Sequence, residues 1–182
     1  MLNSTKHSWG KGMIKHDDYM TKKSSWESLT PIIGEKGMSD LSFNTIYESA
    51  YGDGTSGKYL QEVFPNKKII HGQYDYFKRE IMDYDIEISN PPFSIAKEWL
   101  TEAKARNKPF IFIMPTQKIT TQYFRKLFGG EKIQILIPRK RMHFDKLVNG
   151  KRPDNWKSAC CFDCFFYTWG LNLKDDINWL DF

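Results

Sequence analysis

The chain has 182 residues and a mass of 21.5 kDa, which suits a single domain, and its 40% hydrophobic and 27% charged residues are typical of a globular protein. Its net charge of +5 is a mild bias toward polyanionic partners. No apolar stretch approaches the roughly 20 residues that span a bilayer, and the first ten residues lack the apolar core of a secretory signal. Three cysteines within residues 160–164 form no disulfide framework. We therefore expect a soluble cytoplasmic protein without membrane contact.

The first 40 residues are polar and contain scattered glycines and three well-separated aromatic residues, Trp9, Tyr19 and Trp26. This composition predicts an irregular arm with one short helix near residues 23–32. Residues 41–182 differ in pattern, because β-rich runs and helical runs alternate there. We interpret them as a single domain.

Six strands are predicted, at residues 45–48, 68–71, 84–89, 110–114, 133–137 and 161–167. Three helices are predicted: one from the glycine loop to about residue 64, one over 94–106 and one over 120–128. The apolar run of 110–114, between two prolines, is typical of a strand buried on both faces. The alternation predicts an α/β fold, a mostly parallel sheet with helices on both faces. Ligands in such sheets bind at the carboxyl ends of the strands.

The first loop with chemical interest is Glu48-Ser-Ala-Tyr-Gly52-Asp53-Gly54, between a predicted strand and a predicted helix. Its glycines allow the backbone to approach a ligand, and its first carboxylate can accept hydrogen bonds from amino or hydroxyl groups. The loop has neither the full spacing of a dinucleotide fingerprint nor the Gly-Lys-Ser/Thr of a phosphate loop. A ligand-binding loop and a plain glycine turn before a helix both fit this pattern.

The second loop is Asn90-Pro91-Pro92-Phe93, directly after the strand predicted at 84–89. The prolines fix the backbone φ angles and therefore the direction of the carbonyl groups. Asn90 offers an amide oxygen as an acceptor, and Phe93 offers a flat apolar ring. These groups suit a planar ring with an exocyclic amino group. A proline-stiffened turn with a packed phenylalanine is the simpler alternative.

Together, the two loops resemble the signature motifs of class I S-adenosylmethionine-dependent amino methyltransferases. The chain is most similar to the adenine-N6 nucleic-acid methyltransferases of the small phage and virus type, over roughly residues 17–169. The resemblance implies a Rossmann-like class I methyltransferase sheet and S-adenosyl-L-methionine as the cofactor, with no metal. It also implies methyl transfer to N6 of adenine, with DNA favoured over RNA. If a phage or virus encodes the protein, its expected location is the host cytoplasm.

The resemblance also implies roles for individual residues. The target base would be held by Asn90, Pro91, Pro92 and Phe93, and the methionine part of the cofactor by Glu48, Gly52 and Gly54, with Asp53 between the glycines. Asp75, in Asp75-Tyr76-Phe77, would reach the cofactor's adenine. Tyr19 and Thr21 belong to a partial match of an N-terminal cofactor element, so residues 1–40 would pack on the cofactor site.

Two departures from the family pattern stand out. The strand predicted at 68–71 ends in His71, where the family has an acidic residue that binds the cofactor ribose. Only 32 residues separate Gly57 from Asn90, so we expect one strand–helix unit to be shortened or absent.

A basic segment at 139–157 contains seven basic and two acidic residues. Its basic residues are interleaved with His143, Phe144 and Trp156, a pattern that suits a phosphate backbone with unstacked bases. The residues expected to contact nucleic acid are Arg139, Lys140, Arg141, Arg152 and Trp156. A solvated loop is the alternative. The spacing of the nearby Cys161-x-x-Cys164 matches one of the two ligand pairs of a zinc site, but its apolar context favours buried reduced thiols.

Three other functions remain open at this level. The acceptor could be RNA adenine or a protein glutamine amide, or the chain could be an inactive methyltransferase-fold subunit that only binds. The domain leaves no room for a separate target-recognition domain, so a partner subunit or a homo-oligomer could supply recognition of the substrate.

Overall fold

A computed structural model describes residues 17–33, 43–147 and 162–180, and a seven-stranded sheet lies at its centre. The strands of this sheet are β2 (Thr45–Glu48), β3 (Lys68–His71), β4 (Ile86–Ser89), β5 (Phe110–Pro115), β6 (Ile133–Pro138), β8 (Cys164–Trp169) and β9 (Ile177–Leu180). Their order is β3-β2-β4-β5-β8-β6-β9. Every pairing is parallel except those of β8, which is antiparallel to both β5 and β6.

Two further strands, β1 (Tyr19–Thr21) and β7 (Phe144–Lys146), form a separate antiparallel pair. The helices are α1 (Lys23–Glu27), α2 (Thr30–Ile33), α3 (Thr55–Val63), α4 (Ala96–Arg106) and α5 (Gln122–Phe128). Short 3₁₀ turns occur at Tyr76–Lys78, Phe93–Ile95 and Thr116–Thr120.

Two hydrophobic clusters occupy the two faces of the sheet. The first contains Trp26, Leu29 and Leu60 from α1, the α1–α2 link and α3. The second contains Trp99 from α4 and Phe124 from α5. The strands between them are apolar on both sides, and all six residues of β5 are buried. The predicted fold class is thus confirmed: a mostly parallel, Rossmann-like sheet with helices on both faces.

The helix predicted at 23–32 is wrong as a single element, because the structure divides it into α1 and α2. A continuous helix would need a backbone N–H at residue 31 to donate to the carbonyl of Glu27, and Pro31 has none. The hydroxyl of Thr30 donates to that carbonyl instead.

The strand predicted at 84–89 begins later, at Ile86. Asp85 has another role, because its Oδ2 accepts hydrogen bonds from the backbone N–H groups of Asn44 and Thr45, each at 2.8 Å. Three strands were not predicted. Two of them, β1 and β7, have only three residues. The third, β9, has two of its three apolar residues on the exposed side, with Ile177 and Trp179 57% and 72% exposed.

The link between α3 and β4 contains one strand, β3, and one 3₁₀ turn. This agrees with the shortened unit that the 32-residue spacing predicted, and it leaves β3 at the edge of the sheet. None of the helices in the described segments has the length and apolar composition that crossing a bilayer requires.

Candidate functional site

An open cleft lies at the carboxyl ends of β2 and β4 and encloses about 510 Å³, part of it open to solvent. Three segments line it: the arm with Asp17 and residues 19–21, the glycine loop with residues 50–53, 55 and 56, and residues 90–93. The cleft therefore brings together most of the residues that the two sequence motifs singled out.

The glycine loop is a turn that leads into α3. Gly52 has a φ of +58°, in the left-handed region that favours glycine, and a Cβ there would lie 2.9 Å from the sulfur of Met20. The loop and the arm are therefore in direct contact beside the cleft. Asp53 closes the turn, since its Oδ1 accepts from the backbone N–H and the hydroxyl of Thr55 at 3.0 and 2.6 Å.

The side-chain amide of Asn90 is oriented by the arm. Its Nδ2 donates to the backbone carbonyl of Tyr19 at 3.1 Å, and this carbonyl can only accept. The amide oxygen must then occupy the opposite position. Oδ1 of Asn90 is buried and has no hydrogen-bond partner in the part of the chain that the structure describes, as is also true of Oγ1 of Thr21. Both oxygens can therefore accept a hydrogen bond from a group that enters the cleft.

The loop at 90–93 is anchored at its far end as well. Asp17 accepts hydrogen bonds from the backbone N–H of Ser94, at 3.1 Å, and from its hydroxyl. Lys118 donates from Nζ to the carbonyl of Phe93 at 3.1 Å, and partial burial lowers the pKa of this lysine. Since Asp17 and Lys118 belong to different segments, the loop is held from both sides.

Glu48 does not line the cleft, contrary to its expected contact with the cofactor. It is completely buried, and its Oε1 accepts from the hydroxyl of Ser89 at 3.0 Å. Burial raises the pKa of Glu48 to about 8, although the hydrogen bond from Ser89 opposes this shift. At neutral pH the carboxyl group is therefore mostly protonated.

His71 ends β3 and points inward. Its Nδ1 is 3.7 Å from Oε2 of Glu48, and a Cβ at Gly57 would lie 2.0 Å from its ring. Burial lowers the pKa of His71, so its contact with Glu48 joins two neutral groups at neutral pH. The end of β3 thus presents no carboxylate to the cleft.

Two other residues with an expected cofactor contact, Gly54 and Asp75, are also absent from the lining of the cleft. Gly54 is buried, and its N–H donates to the carbonyl of Tyr51 at 2.9 Å. Asp75 caps the 3₁₀ turn at Tyr76–Lys78, where its Oδ1 accepts from the N–H of Phe77 at 3.1 Å. Local turn chemistry therefore accounts for the Asp75-Tyr76-Phe77 match.

An aromatic cluster links the arm, the cleft and the strand pair β1–β7. The ring of Phe162 packs edge-on against Tyr19 and Phe93, with centroid distances of 5.2 and 5.6 Å. Phe144 contacts both Tyr19 and Phe162 and is 1% exposed. Phe144, one of the aromatic residues interleaved with the basic segment, is therefore not available to stack on a nucleic-acid base, because its ring is buried in the core.

The described part of the basic segment lies at the same edge of the sheet as the cleft, since Arg139 and Lys140 directly follow the carboxyl end of β6. Both are exposed. Arg141 is also exposed, and its Nε pairs with Oδ1 of Asp163 at 2.6 Å. Arg152 and Trp156 lie outside the described residues.

No group of three or more metal-ligating side chains occurs within residues 17–33, 43–147 and 162–180. Cys164 is a buried cysteine in β8. Cys160 and Cys161 lie outside the described residues. Sequence reasoning missed several residues of the cleft, among them Asp17, Met20 and Ala50. Ala50 had a signal, because it lies inside the glycine-loop motif, and Met20 had one, because it lies between Tyr19 and Thr21. Asp17 and Met20 enter the cleft through the pairing of β1 with β7.

No family model and no curated protein matches the chain. Among solved structures, it is similar to a precorrin-8w decarboxylase of Methanobacterium thermoautotrophicum, with a TM-score of 0.42 and 13% identity over 86% of this chain and 100% of that one. It is also similar to a precorrin-6y C5,15-methyltransferase of Geobacter metallireducens GS-15, with a TM-score of 0.42 and 8% identity over 86% and 97% of the two chains. Likenesses at this level carry no argument about activity, so the function rests on the cleft itself.

Proposed function

We propose that the protein is a methyltransferase that uses S-adenosyl-L-methionine to methylate the exocyclic N6 amino group of adenine in nucleic acid, with DNA as the favoured substrate. The observation that carries the proposal is the amide of Asn90. Its nitrogen is engaged by the carbonyl of Tyr19, and its buried oxygen lacks a partner among the described residues, at a cleft shared with a glycine loop.

The residues of the cleft suit the cofactor. A Cβ at Gly52 would clash with the sulfur of Met20, so glycine allows the loop to pack against the arm beside the cleft. The hydroxyl oxygen of Thr21, unpaired within the described segments, offers a polar contact. The cofactor would be held by Tyr19, Thr21, Gly52 and Asp53, with Glu48 supporting the loop from behind. When bound, it supplies a methyl group on a positively charged sulfur, which is a strong electrophile.

Asn90 would prepare the acceptor. The amino group of adenine is a poor nucleophile, because its lone pair is delocalised into the ring. A hydrogen bond from this amine to Oδ1 of Asn90, together with one to the carbonyl of Pro91, would favour a more tetrahedral nitrogen and stabilise the developing positive charge. Phe93 offers its ring to the base. No covalent intermediate with the protein is required, because positioning and electrostatics suffice for an in-line displacement.

Nucleic acid is the proposed partner because of charge and location. Arg139 and Lys140 are exposed at the cleft edge of the sheet, and the chain as a whole carries +5. A base inside a duplex cannot reach such a cleft, so the substrate would be a flipped or single-stranded adenine.

One observation favours a second candidate, an inactive methyltransferase-fold subunit that binds nucleic acid. His71 ends β3 where the resemblance leads us to expect an acidic residue for the ribose, and it packs inward against Glu48 and Gly57. Weak or absent cofactor binding would follow if nothing else contacted the ribose.

The deciding experiment measures transfer of a labelled methyl group from S-adenosyl-L-methionine to unmethylated DNA, to RNA and to a release factor with an unmethylated glutamine. Nucleoside analysis of the product should show N6-methyladenine. Label only in RNA or in protein would establish one of the alternative acceptors. Calorimetry of cofactor binding distinguishes an enzyme from the inactive subunit. The inactive subunit should show neither heat of cofactor binding nor methyl transfer.

A further inference from the structure

Two serine–glutamate hydrogen bonds cross between β2 and β4 at their carboxyl ends. Ser89, the last residue of β4, donates to Oε1 of Glu48 in β2 at 3.0 Å. In the reverse direction Ser49, which follows β2, donates to Oε1 of Glu87 in β4 at 2.5 Å. All four side chains are buried, with exposures of 5% or less. The two loops of the cleft start directly after these crossed pairs.

The two serines differ in one respect. The hydroxyl oxygen of Ser89 also accepts a hydrogen bond from the backbone N–H of Ala50 at 3.0 Å. Ala50 lines the cleft on the side of the glycine loop, and Asn90, the neighbour of Ser89, lines it on the opposite side. One oxygen atom therefore connects the backbones of both loops.

We infer that Ser89 is a positioning residue that holds the Asn90 loop at a set distance from the glycine loop, and that Glu48 orients its hydroxyl. The inference deepens the proposed function and rests on it. The serine hydroxyl donates its hydrogen bond to Glu48, so an oxygen lone pair of the hydroxyl remains for the N–H of Ala50. This assigns a purpose to a carboxyl group that is fully buried and has no place in the lining of the cleft.

The distance between the loops matters because methyl transfer needs the donor and the acceptor nitrogen in line. An error of about 1 Å in such an arrangement can reduce the rate by roughly 100-fold. Loss of the Ser89 hydroxyl removes the hydrogen bond from the N–H of Ala50 that connects the two loops, so the loops can move apart. Each loop keeps its own binding groups, so binding of either substrate should change little.

The test compares Ser89→Ala with Ser49→Ala as a matched control. Both variants remove a buried hydroxyl that donates to a glutamate on the neighbouring strand, and both should lower the melting temperature by similar amounts. With an adenine-containing oligonucleotide, we expect Ser89→Ala to lose about 10- to 100-fold in kcat with both KM values within about threefold. Ser49→Ala should keep kcat within about threefold. Equal losses of kcat in the two variants would overturn the inference.

Two further measurements keep the test independent of folding and of the proposed reaction. Ser89→Thr retains a hydroxyl and should recover most of the kcat lost in Ser89→Ala; an equally inactive, folded Ser89→Thr argues against the role of the hydroxyl. Amide hydrogen exchange at Ala50 should accelerate in Ser89→Ala and not in Ser49→Ala, whether or not methyl transfer is observed. Unchanged amide exchange at Ala50 in Ser89→Ala refutes the link between the loops. If exchange is faster in Ser89→Ala but the wild-type protein transfers no methyl group, only the proposed function is refuted.

Discussion

Two buried carboxyl groups on neighbouring strands have very different surroundings. Both oxygens of Glu87 accept hydrogen bonds, Oε1 from Ser49 at 2.5 Å and Oε2 from the hydroxyls of Tyr76 and Tyr84 at 3.2 and 3.4 Å. The guanidinium of Arg106 stacks on the ring of Tyr76, 4.1 Å from its centroid, in the same network. This network needs no ligand to satisfy its polar groups.

Glu48 lies at the edge of the cleft and is less well satisfied. Its Oε1 accepts from Ser89, whereas its Oε2 has no hydrogen-bond partner among the described residues and lies 3.7 Å from His71, which is too long for a hydrogen bond. Nearby, the amide oxygen of Asn90 is likewise unpaired within those segments. The comparison shows that burial alone does not identify a functional carboxyl group. Both carboxyl oxygens of Glu87 have hydrogen-bond donors, whereas one oxygen of Glu48 has none within the described segments.

The largest expected effect is on stability, in the structural network. Arg106→Met would remove the side-chain donors to the buried carbonyls of Tyr76 and Ile81 and the positive charge near Glu87. We expect a decrease of about 3–5 kcal/mol in the free energy of unfolding, measured by urea denaturation. Arg79→Met is the control, because Arg79 is exposed and its ion pair with Glu102 should contribute little to stability. Similar decreases in the two variants would contradict this prediction.

The next effect is on activity, in the cleft. Asn90→Ala should reduce methyl transfer by at least about 100-fold, the equivalent of roughly 2.7 kcal/mol or more, because it removes the acceptor for the amine. Affinity for S-adenosyl-L-methionine, measured by calorimetry, should stay close to that of the wild type. Asn44→Ala serves as the control, because the side chain of Asn44 is exposed at the opposite end of β2. Near-normal turnover in Asn90→Ala would refute the proposed mechanism.

The two carboxyl groups also predict a dependence of stability on pH. Burial raises the pKa of Glu48 to about 8 and that of Glu87 to about 7, above the ordinary value of 4.5. From about pH 4.5 to 7–8 the folded protein keeps protons that the unfolded chain has released. Their stabilising contribution is therefore complete below the ordinary pKa and disappears as the pH rises through that window. The decrease is at most about 1.4 kcal/mol per pH unit for each group.

Neutral isosteres should remove this dependence. Urea denaturation at several pH values should give a flatter profile for Glu48→Gln and Glu87→Gln than for the wild type. The exposed Glu62→Gln should leave the profile unchanged. Stability that rises across the same interval would show that the two groups are ionised in the folded protein.

The smallest effect concerns nucleic-acid binding. If Arg139 and Lys140 bind phosphates, replacing both with Ala should reduce the slope of log affinity against log salt concentration by roughly 0.7–0.9 for each phosphate that is no longer neutralised. The control replaces Lys68 and Lys174, two exposed lysines near the amino ends of β3 and β9, away from the cleft edge. An unchanged slope in the Arg139/Lys140 variant would exclude these residues from the binding surface. Cofactor affinity should be the same in all three proteins.

Much of the fold was predictable from local patterns. The apolar run of β5 and the turn residues after β2 and β4 are signals within a few neighbouring residues, and the structure confirms these elements. The division of the helix predicted at 23–32 also has a local cause, Pro31, whereas the error at Phe144 arose where a distant contact decided the outcome. Phe144 looked available for stacking because its neighbours are basic and polar, but β7 pairs with β1 and carries its ring into the core.

The sequence by itself determined that two loops with ligand-binding chemistry follow two strands of an α/β sheet, because glycine, proline and apolar periodicity act on the local backbone. The tertiary structure decided how the atoms of those loops are used. Asn90 is oriented by the carbonyl of Tyr19, 71 residues earlier in the chain, and Ser89 reaches Glu48 across 41 residues. Hydrogen bonds at such separations depend on how the strands pair and on which groups are buried together. They leave no periodic trace in the sequence.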